Sequence, residues 1–192
     1  MSSISIAGDT SGSVILQAPS VAGSTTLTLP STSGNVLTSA SSLAASQLPA
    51  GSVLQVVSST TSTRTTSTSA SYVDANLSAS ITPSSATNNI LVIVTYTLAN
   101  DNSSYASWSQ LLRGSTQIAQ RTYYTAASNS YASISASLSV LDSPATTSST
   151  TYKMQIRNDG AGTATFNGPT IMSYSSGVPT NYSTITLMEI KA

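Results

Sequence analysis

Six carboxylates are the side chains of this sequence best suited to acid–base catalysis or metal binding. The 192 residues include no histidine and no cysteine, and the acids are Asp9, Asp74, Asp101, Asp142, Asp159 and Glu189. Ser-His-Asp and Cys-His centres, thiolate nucleophiles and common zinc sites are therefore excluded. A glycosidase needs two acids about 5 to 9.5 Å apart, but these acids occur singly, most of them beside turn residues. We predict that the protein is not an enzyme.

Oxygen ligands for calcium occur as two adjacent pairs, Asp101-Asn102 and Asn158-Asp159. Neither pair belongs to a loop with regular ligand spacing, so we predict no metal site and no cofactor. The six basic residues are balanced by six acidic ones. Because no basic surface is left to follow a phosphate backbone, nucleic acid is not an expected partner.

Tyrosines beside small polar residues form the most promising binding pattern. Two tyrosine-flanked segments, 123–131 and 174–182, contain Ser and Asn, and the second also contains a glycine, Gly177. Such residues make adaptable recognition surfaces, and a bacterial surface sugar would suit them, with its apolar face on the rings and its hydroxyls on the amides. The receptor-binding candidates are Tyr123, Tyr124, Asn129, Tyr131, Tyr174, Asn181 and Tyr182. The alternative for each tyrosine is a structural position on a sheet face or at a subunit contact.

Two other residues have simpler structural interpretations. Trp108 stands near Tyr105 and Leu111 on a predicted strand, so we expect it in the core or at an interface. Arg113 precedes Gly114 and Ser115 in a predicted hairpin turn. A solvated turn residue is the expected role of Arg113, and pairing with an acid or with a receptor is the alternative.

The elements that must position these residues are β-strands. The sequence contains 42 serines and 29 threonines, and only 6% of its residues are charged. Apolar residues alternate with Ser and Thr in the period of half-buried strands. The longest apolar run, 90–94, is far too short to span a membrane, and no secretory signal is visible. We predict an all-β chain in which residues 52–192 form eight to ten strands of a jelly-roll-like sandwich head.

The first fifty residues follow a different pattern. Apolar pairs alternate with Gly, Pro, Asp or Asn, which predicts strands of about three to five residues. Such short strands need partners, so we expect several chains to share a core around an axis, as a homotrimer. The alternative is a floppy leader. We predict a docking or shaft module at 1–38, a neck with a short helical turn at 39–51, and virion-docking residues Ile4, Ile6, Val14, Leu16, Leu27 and Leu29.

Several segments resemble a known group of proteins. The segment GDTSGSVILQAPSVAGSTTLTLPSTSGNVLTS resembles N-terminal modules of tailed-bacteriophage appendages, especially those of phages that infect marine bacteria and cyanobacteria. The later segments SYVDANLSASITPSSATNNILVIV, LLRGSTQIAQRT, LSVLDSPATTSSTTYKMQIR and STITLMEIKA resemble the globular head of the same small fibre proteins. Together they cover most of the chain. The resemblance implies a homotrimeric virion fibre and carries over no catalytic residue.

Three functions follow as hypotheses. The first is a virion surface fibre, made in the infected bacterial cytoplasm, that docks on another virion protein and binds a host surface glycan, without membrane insertion. The second is a capsid decoration, cement or head-fibre protein with a structural role only. The third, a depolymerising spike, is disfavoured because histidine and a long repetitive β-helix are missing.

Overall fold

The computed structural model describes residues 3–7, 9–17, 19–21, 23–24, 26, 31, 33, 43–102, 104–124, 132–168 and 181–192. The chain divides into two compact units, an N-terminal unit (1–42) and a C-terminal unit (43–192). Apart from one 3-10 turn, every regular element of the described residues is a strand, and the strand pairings are antiparallel. The all-β prediction is thus confirmed. The predicted boundaries at 38/39 and 51/52 stay predictions.

The N-terminal unit contains a short hairpin. β1 (Ser3–Ala7) pairs with β2 (Ser13–Gln17), and each strand is five residues long. The register sets Ile4 opposite Leu16 and Ile6 opposite Val14. Because directly opposed residues and alternate residues of one strand share a face of the ribbon, Ile4, Ile6 and Leu16 occupy the same face. Two other docking candidates, Leu27 and Leu29, lie outside the described residues.

The C-terminal unit consists of ten described strands in two sheets. The four-stranded sheet has the order β5-β10-β7-β8, and the six-stranded sheet has the order β3-β12-β6-β11-β4, with β9 on the opposite edge of β6. Their bounds are β3 Val53–Thr61, β4 Thr65–Ser67, β5 Val73–Ile81, β6 Asn89–Asn100, β7 Ala106–Arg113, β8 Thr116–Tyr124, β9 Ala132–Asp142, β10 Thr150–Asn158, β11 Ala164–Phe166 and β12 Ser183–Ile190.

One hydrophobic core joins the inward faces of the two sheets. Alternate residues of β6, from Ile90 to Leu98, are buried, and so are Tyr152, Met154 and Ile156 of β10. Burial alternates along these strands because successive side chains point to opposite faces. The remaining buried members come from β5, β7, β9, β11 and β12. The alternation predicted for the apolar residues is therefore observed.

The two ends of the C-terminal unit differ in what they carry. At the end that we call the stem end, the Gly51 N–H donates to the Lys191 carbonyl at 2.8 Å. There the Lys191 ammonium donates to the carbonyls of Ser46, inside a 3-10 turn at Ala45–Gln47, and of Leu48, directly after this turn. A short helical turn was predicted in this region. The opposite end, the loop end, is where β6, β8 and β10 finish and β7, β9 and β12 begin.

The β7–β8 hairpin corrects the prediction for Arg113. Gly114 has a φ of 58°, a conformation that favours glycine, and forms the turn as expected. Arg113, however, is not a solvated turn residue. Its guanidinium donates to both carboxylate oxygens of Asp142, at 2.7 and 2.9 Å, and the Tyr152 hydroxyl donates to the same carboxylate at 2.6 Å. This cluster ties the two sheets together near the stem end.

None of the described residues forms a helix that is long and apolar enough to cross a membrane.

Candidate functional site

A hollow of about 340 Å³ lies on the outward face of the six-stranded sheet, towards the loop end. Hydroxyl residues of two neighbouring strands line it, with Thr95 opposite Ser137 and Thr97 opposite Ser135. Tyr182 also lines it, and 69% of this residue is exposed. The hollow therefore combines one accessible aromatic ring with a set of hydroxyl groups.

Asn167 fixes the position of Tyr182 by holding the first residue of β12. The Ser183 hydroxyl donates to the Asn167 side-chain oxygen at 3.2 Å. The Asn167 amide group donates to the Thr61 carbonyl at 2.9 Å, and its backbone N–H donates to the Thr97 carbonyl at 3.1 Å. Asn167 has a φ of 64°, a left-handed conformation that asparagine tolerates. The strands beside the hollow are thus locked together.

The chemistry of the hollow favours a neutral, hydroxyl-rich ligand. The side chain of Asn181 donates to the Thr97 hydroxyl at 3.5 Å, so two predicted candidates, Asn181 and Tyr182, lie side by side here. The described lining residues carry no charge. Hydroxyls can both donate and accept hydrogen bonds, and a tyrosine ring offers an apolar face with a polar tip.

The hydroxyl residues of this site were not predicted from the sequence. Thr95, Thr97, Ser135 and Ser137 stand in threonine- and serine-rich strands like many others in the chain. The available signal was their alternation, which places them on one face of a strand. Their meeting depends on the pairing of β6 with β9, which the sequence does not specify.

Tyr123 and Tyr124, the other described tyrosines among the candidates, belong to the opposite sheet. Tyr124 is 62% exposed, and its hydroxyl donates to the Ser104 carbonyl at 3.3 Å. Tyr123 packs against the core, and its burial raises the pKa of its hydroxyl. The structure therefore does not bring this pair to the Tyr182 hollow. Asn129, Tyr131 and Tyr174 lie outside the described residues.

The oxygens considered for calcium are engaged in a polar cluster at the loop end. The Asn100 amide donates to the Asn158 side-chain oxygen at 2.9 Å and to the Ser107 hydroxyl at 3.0 Å. One carboxylate oxygen of Asp101 accepts the Thr163 N–H at 2.5 Å. Within the described ranges, no group of three or more His, Cys, Asp or Glu residues is arranged to hold a metal ion. These contacts hold the loop end in shape.

Trp108 lies outside the core between the sheets, on the outward face of the four-stranded sheet. The guanidinium carbon of Arg157 lies 4.5 Å from the Trp108 ring centroid and 5.5 Å from that of Tyr72, so two cation–π contacts fix this arginine. Arg157 also approaches Asp159 at 3.3 Å. The indole is therefore covered by a charged side chain. This arrangement does not suit a ligand platform.

Amide side chains continue across the same outward face. The Gln110 amide donates to the Gln155 oxygen at 2.7 Å, and the Gln155 amide donates to Asp74 at 2.6 Å. Lys153 lies 3.0 Å from Asp74. The hydrogen bonds from Gln155 and Lys153 lower the pKa of the Asp74 carboxyl. This face is thus polar, charged and internally paired.

Glu189 forms a second polar cluster at the stem end, inside the six-stranded sheet. The carboxylate is fully buried and accepts hydrogen bonds from the amides of Asn88 and Gln55, both at 2.6 Å. It also accepts the N–H and the hydroxyl of Ser84, both at 2.7 Å. Burial alone would raise the pKa of Glu189, but these hydrogen bonds outweigh it and lower the pKa to about 2. Glu189 is therefore a charged structural clamp.

The docking candidates of the N-terminal unit are exposed. Ile4, Ile6 and Leu16 are each more than half accessible on the β1–β2 ribbon. A two-stranded ribbon with one apolar face is marginally stable by itself. This face can be covered by an association that buries it.

Comparison of the sequence with protein-family models and with curated proteins gave no match.

Proposed function

We propose that this chain is a surface fibre protein of a tailed-bacteriophage virion. It assembles as a homotrimer, its N-terminal unit docks on another virion protein, and its C-terminal unit forms a jelly-roll-like knob. The knob attaches to the host cell by binding a surface glycan, without catalysis and without a cofactor. The resemblance of the segments 8–39, 71–94, 111–122, 138–157 and 183–192 to small phage fibre proteins supports this identity.

The hollow beside Tyr182 is the observation that carries the attachment role. It lies towards the loop end of the C-terminal unit, whereas residues 43–50 join this unit at the stem end. The chain therefore enters the C-terminal unit at the end opposite the hollow. The uncharged lining suits a neutral sugar, whose apolar face stacks on the Tyr182 ring and whose hydroxyls bind Thr and Ser. Weak sites of this kind gain strength when several copies bind together.

The five described carboxylates of the C-terminal unit support a function without catalysis. Asp74, Asp142 and Asp159 form ion pairs with Lys153, Arg113 and Arg157, in that order. Asp101 and Glu189 accept hydrogen bonds from nearby side chains or backbone. Each carboxylate therefore has a structural role.

A capsid decoration, cement or head-fibre protein is the second candidate. The exposed apolar face of the β1–β2 ribbon favours it, because such a face can lock onto coat subunits. In that case the C-terminal unit only projects from the capsid, and the hollow binds no host glycan.

Labelling of intact virions separates the two candidates. Antibody against the C-terminal unit is bound to particles and located by electron microscopy. Label on the tail or baseplate is the expected result. Label at capsid lattice points would contradict host attachment and favour decoration.

Substitution in the hollow tests the binding site. We expect Tyr182→Ala to weaken binding of the purified protein to host surface polysaccharide about tenfold, equivalent to about 1.4 kcal/mol. Tyr124→Ala is the matched control, since Tyr124 is similarly exposed on the other sheet. Equal binding by the two variants would exclude the hollow as the glycan site. Release of sugar fragments from the polysaccharide would contradict binding without catalysis.

A further inference from the structure

A strip of apolar side chains crosses the outward face of the six-stranded sheet at the stem end. The register sets Met188 between Val56 and Leu91, and Leu91 opposite Leu141. Val56 is 56% exposed and Leu141 is 60% exposed. We define the apolar strip as Val53, Val56, Leu91, Ile93, Leu141, Met188 and Ile190.

No charged residue interrupts this face. Within β3, β12, β6 and β9, the described charged residues are Asp142 and Glu189, and both are buried on the inward side. The strip also reaches β3 and β9, which are sheet edges. Edge strands of monomeric proteins are commonly protected by lysine, proline or bulges. β3 and β9 contain neither lysine nor proline, and in their described pairings a register shift occurs only near the start of β3, between its partners Glu189 and Ile190. An apolar patch that reaches two edges without lysine or proline is characteristic of an interaction surface.

We infer that the apolar strip packs against the strips of other copies of this chain. This inference rests on the proposed oligomer. The strip spans four strands about 4.8 Å apart and about five residues of about 3.3 Å each, which gives roughly 300 Å² in projection. A separate protein partner needs about 800 Å² per side for a specific complex. Copies already joined through their N-terminal units need less, because their second contact is intramolecular.

The location of the strip also favours a second copy of the chain as its binding partner. Ile190 precedes Lys191, which holds the backbone of Ser46 and Leu48 where the chain leads into the C-terminal unit. The chain therefore enters the C-terminal unit at the end that carries the strip, and in copies joined through their first residues each C-terminal unit is covalently tethered at that end. The hollow begins at Thr95, two residues or about 7 Å beyond Ile93 along β6, and lies outside the strip.

Labelling of introduced cysteines tests this interface in the full chain, which contains no natural cysteine. Leu141→Cys probes the strip, and Tyr124→Cys is the control because the two native residues are 60% and 62% exposed. We expect maleimide to label Leu141→Cys at least about tenfold more slowly than Tyr124→Cys. Adding Val56→Lys to Leu141→Cys should restore the control rate. Equal labelling of the two single variants would overturn the inference.

The mass of the same samples, measured by light scattering, distinguishes the inference from the proposed function. An oligomer with equal labelling rates would refute the strip as an interface and leave the fibre proposal standing. An oligomer with slow labelling at Leu141→Cys would support the interface even if the virion labelling failed. A monomer would refute both the interface and the trimeric fibre.

Discussion

The two sheets of the C-terminal unit place their carboxylates on opposite sides. Asp74, Lys153 and Arg157 of the four-stranded sheet point outward and are partly exposed. Asp142 and Glu189 of the six-stranded sheet point inward and are buried. The outward face of the six-stranded sheet is left with Ser, Thr and apolar side chains.

This difference shows that the few charged residues have two different effects. Buried carboxylates stabilise the fold, and exposed ion pairs make one sheet face polar. A buried carboxylate is costly unless hydrogen bonds satisfy it, and both inward acids are satisfied by several donors. They therefore hold the stem end together. The outward ion pairs are screened by water and contribute little stability, but they make the outward face of the four-stranded sheet polar. The uncharged face is the one that remains available for contacts.

Removing the buried charge of Glu189 should destabilise the fold more than removing the charge of Asp142 or Asp74. Glu189→Gln replaces an acceptor by an amide that cannot accept all the hydrogen bonds of Asn88, Gln55 and Ser84. We expect the free energy of unfolding to fall by about 3 kcal/mol. Urea unfolding followed by circular dichroism measures the change. A loss below about 1 kcal/mol would contradict the role of Glu189 as a clamp.

Lowering the pH should gradually remove the stabilisation that the ionised Glu189 carboxylate provides. The folded-state pKa of Glu189, about 2, lies below its ordinary value of 4.5. The stabilisation is therefore fully present above about pH 4.5 and is lost as the pH falls towards 2. Melting temperatures between pH 5 and pH 2 should decline, and Glu189→Gln should decline less steeply. Parallel curves for the two proteins would assign the acid sensitivity to other groups.

The second inward acid should have a smaller effect. Asp142→Asn keeps the size of the side chain but weakens the contacts with Arg113 and Tyr152. Arg113 is partly exposed, so water can replace some of the lost interaction, and we expect a loss of about 2 kcal/mol. Urea unfolding again gives the value. Burial and the hydrogen bond to Asp142 raise the pKa of Tyr152 in the native protein, so its hydroxyl stays protonated and donates to this carboxylate.

The outward pair of Asp74 and Lys153 should contribute least to the free energy of unfolding. Asp74→Asn removes the charge that faces Lys153, and we expect a loss of about 0.5 kcal/mol or less because the pair is accessible to water. The small difference should shrink further in concentrated salt. A loss as large as that of Glu189→Gln would remove the contrast between the two sheets.

Local patterns predicted the strands well, because burial on one face requires alternation. Apolar residues were predicted to alternate with Ser and Thr along the strands, and the alternate residues Ile90, Val92 and Val94 of β6 are all buried. The turn at Gly114 was also predicted from local residues.

Local sequence patterns could not predict contacts between segments that lie far apart in the chain. Arg113 meets Asp142 across 29 residues, and Glu189 meets Asn88 across 101 residues. Neighbouring tyrosines on a strand face opposite sides, but the sequence did not show that Tyr123 faces the core and Tyr124 faces outward. The pairing of β6 with β9, which creates the hollow, depends on the same long-range topology.

The mass of the purified full chain in solution tests the central claim most directly. Sedimentation equilibrium at several concentrations should give three times the chain mass of 19.5 kDa. A trimer would agree with a shared N-terminal core and with contacts through the uncharged sheet face. A mass of one chain at every concentration would contradict both.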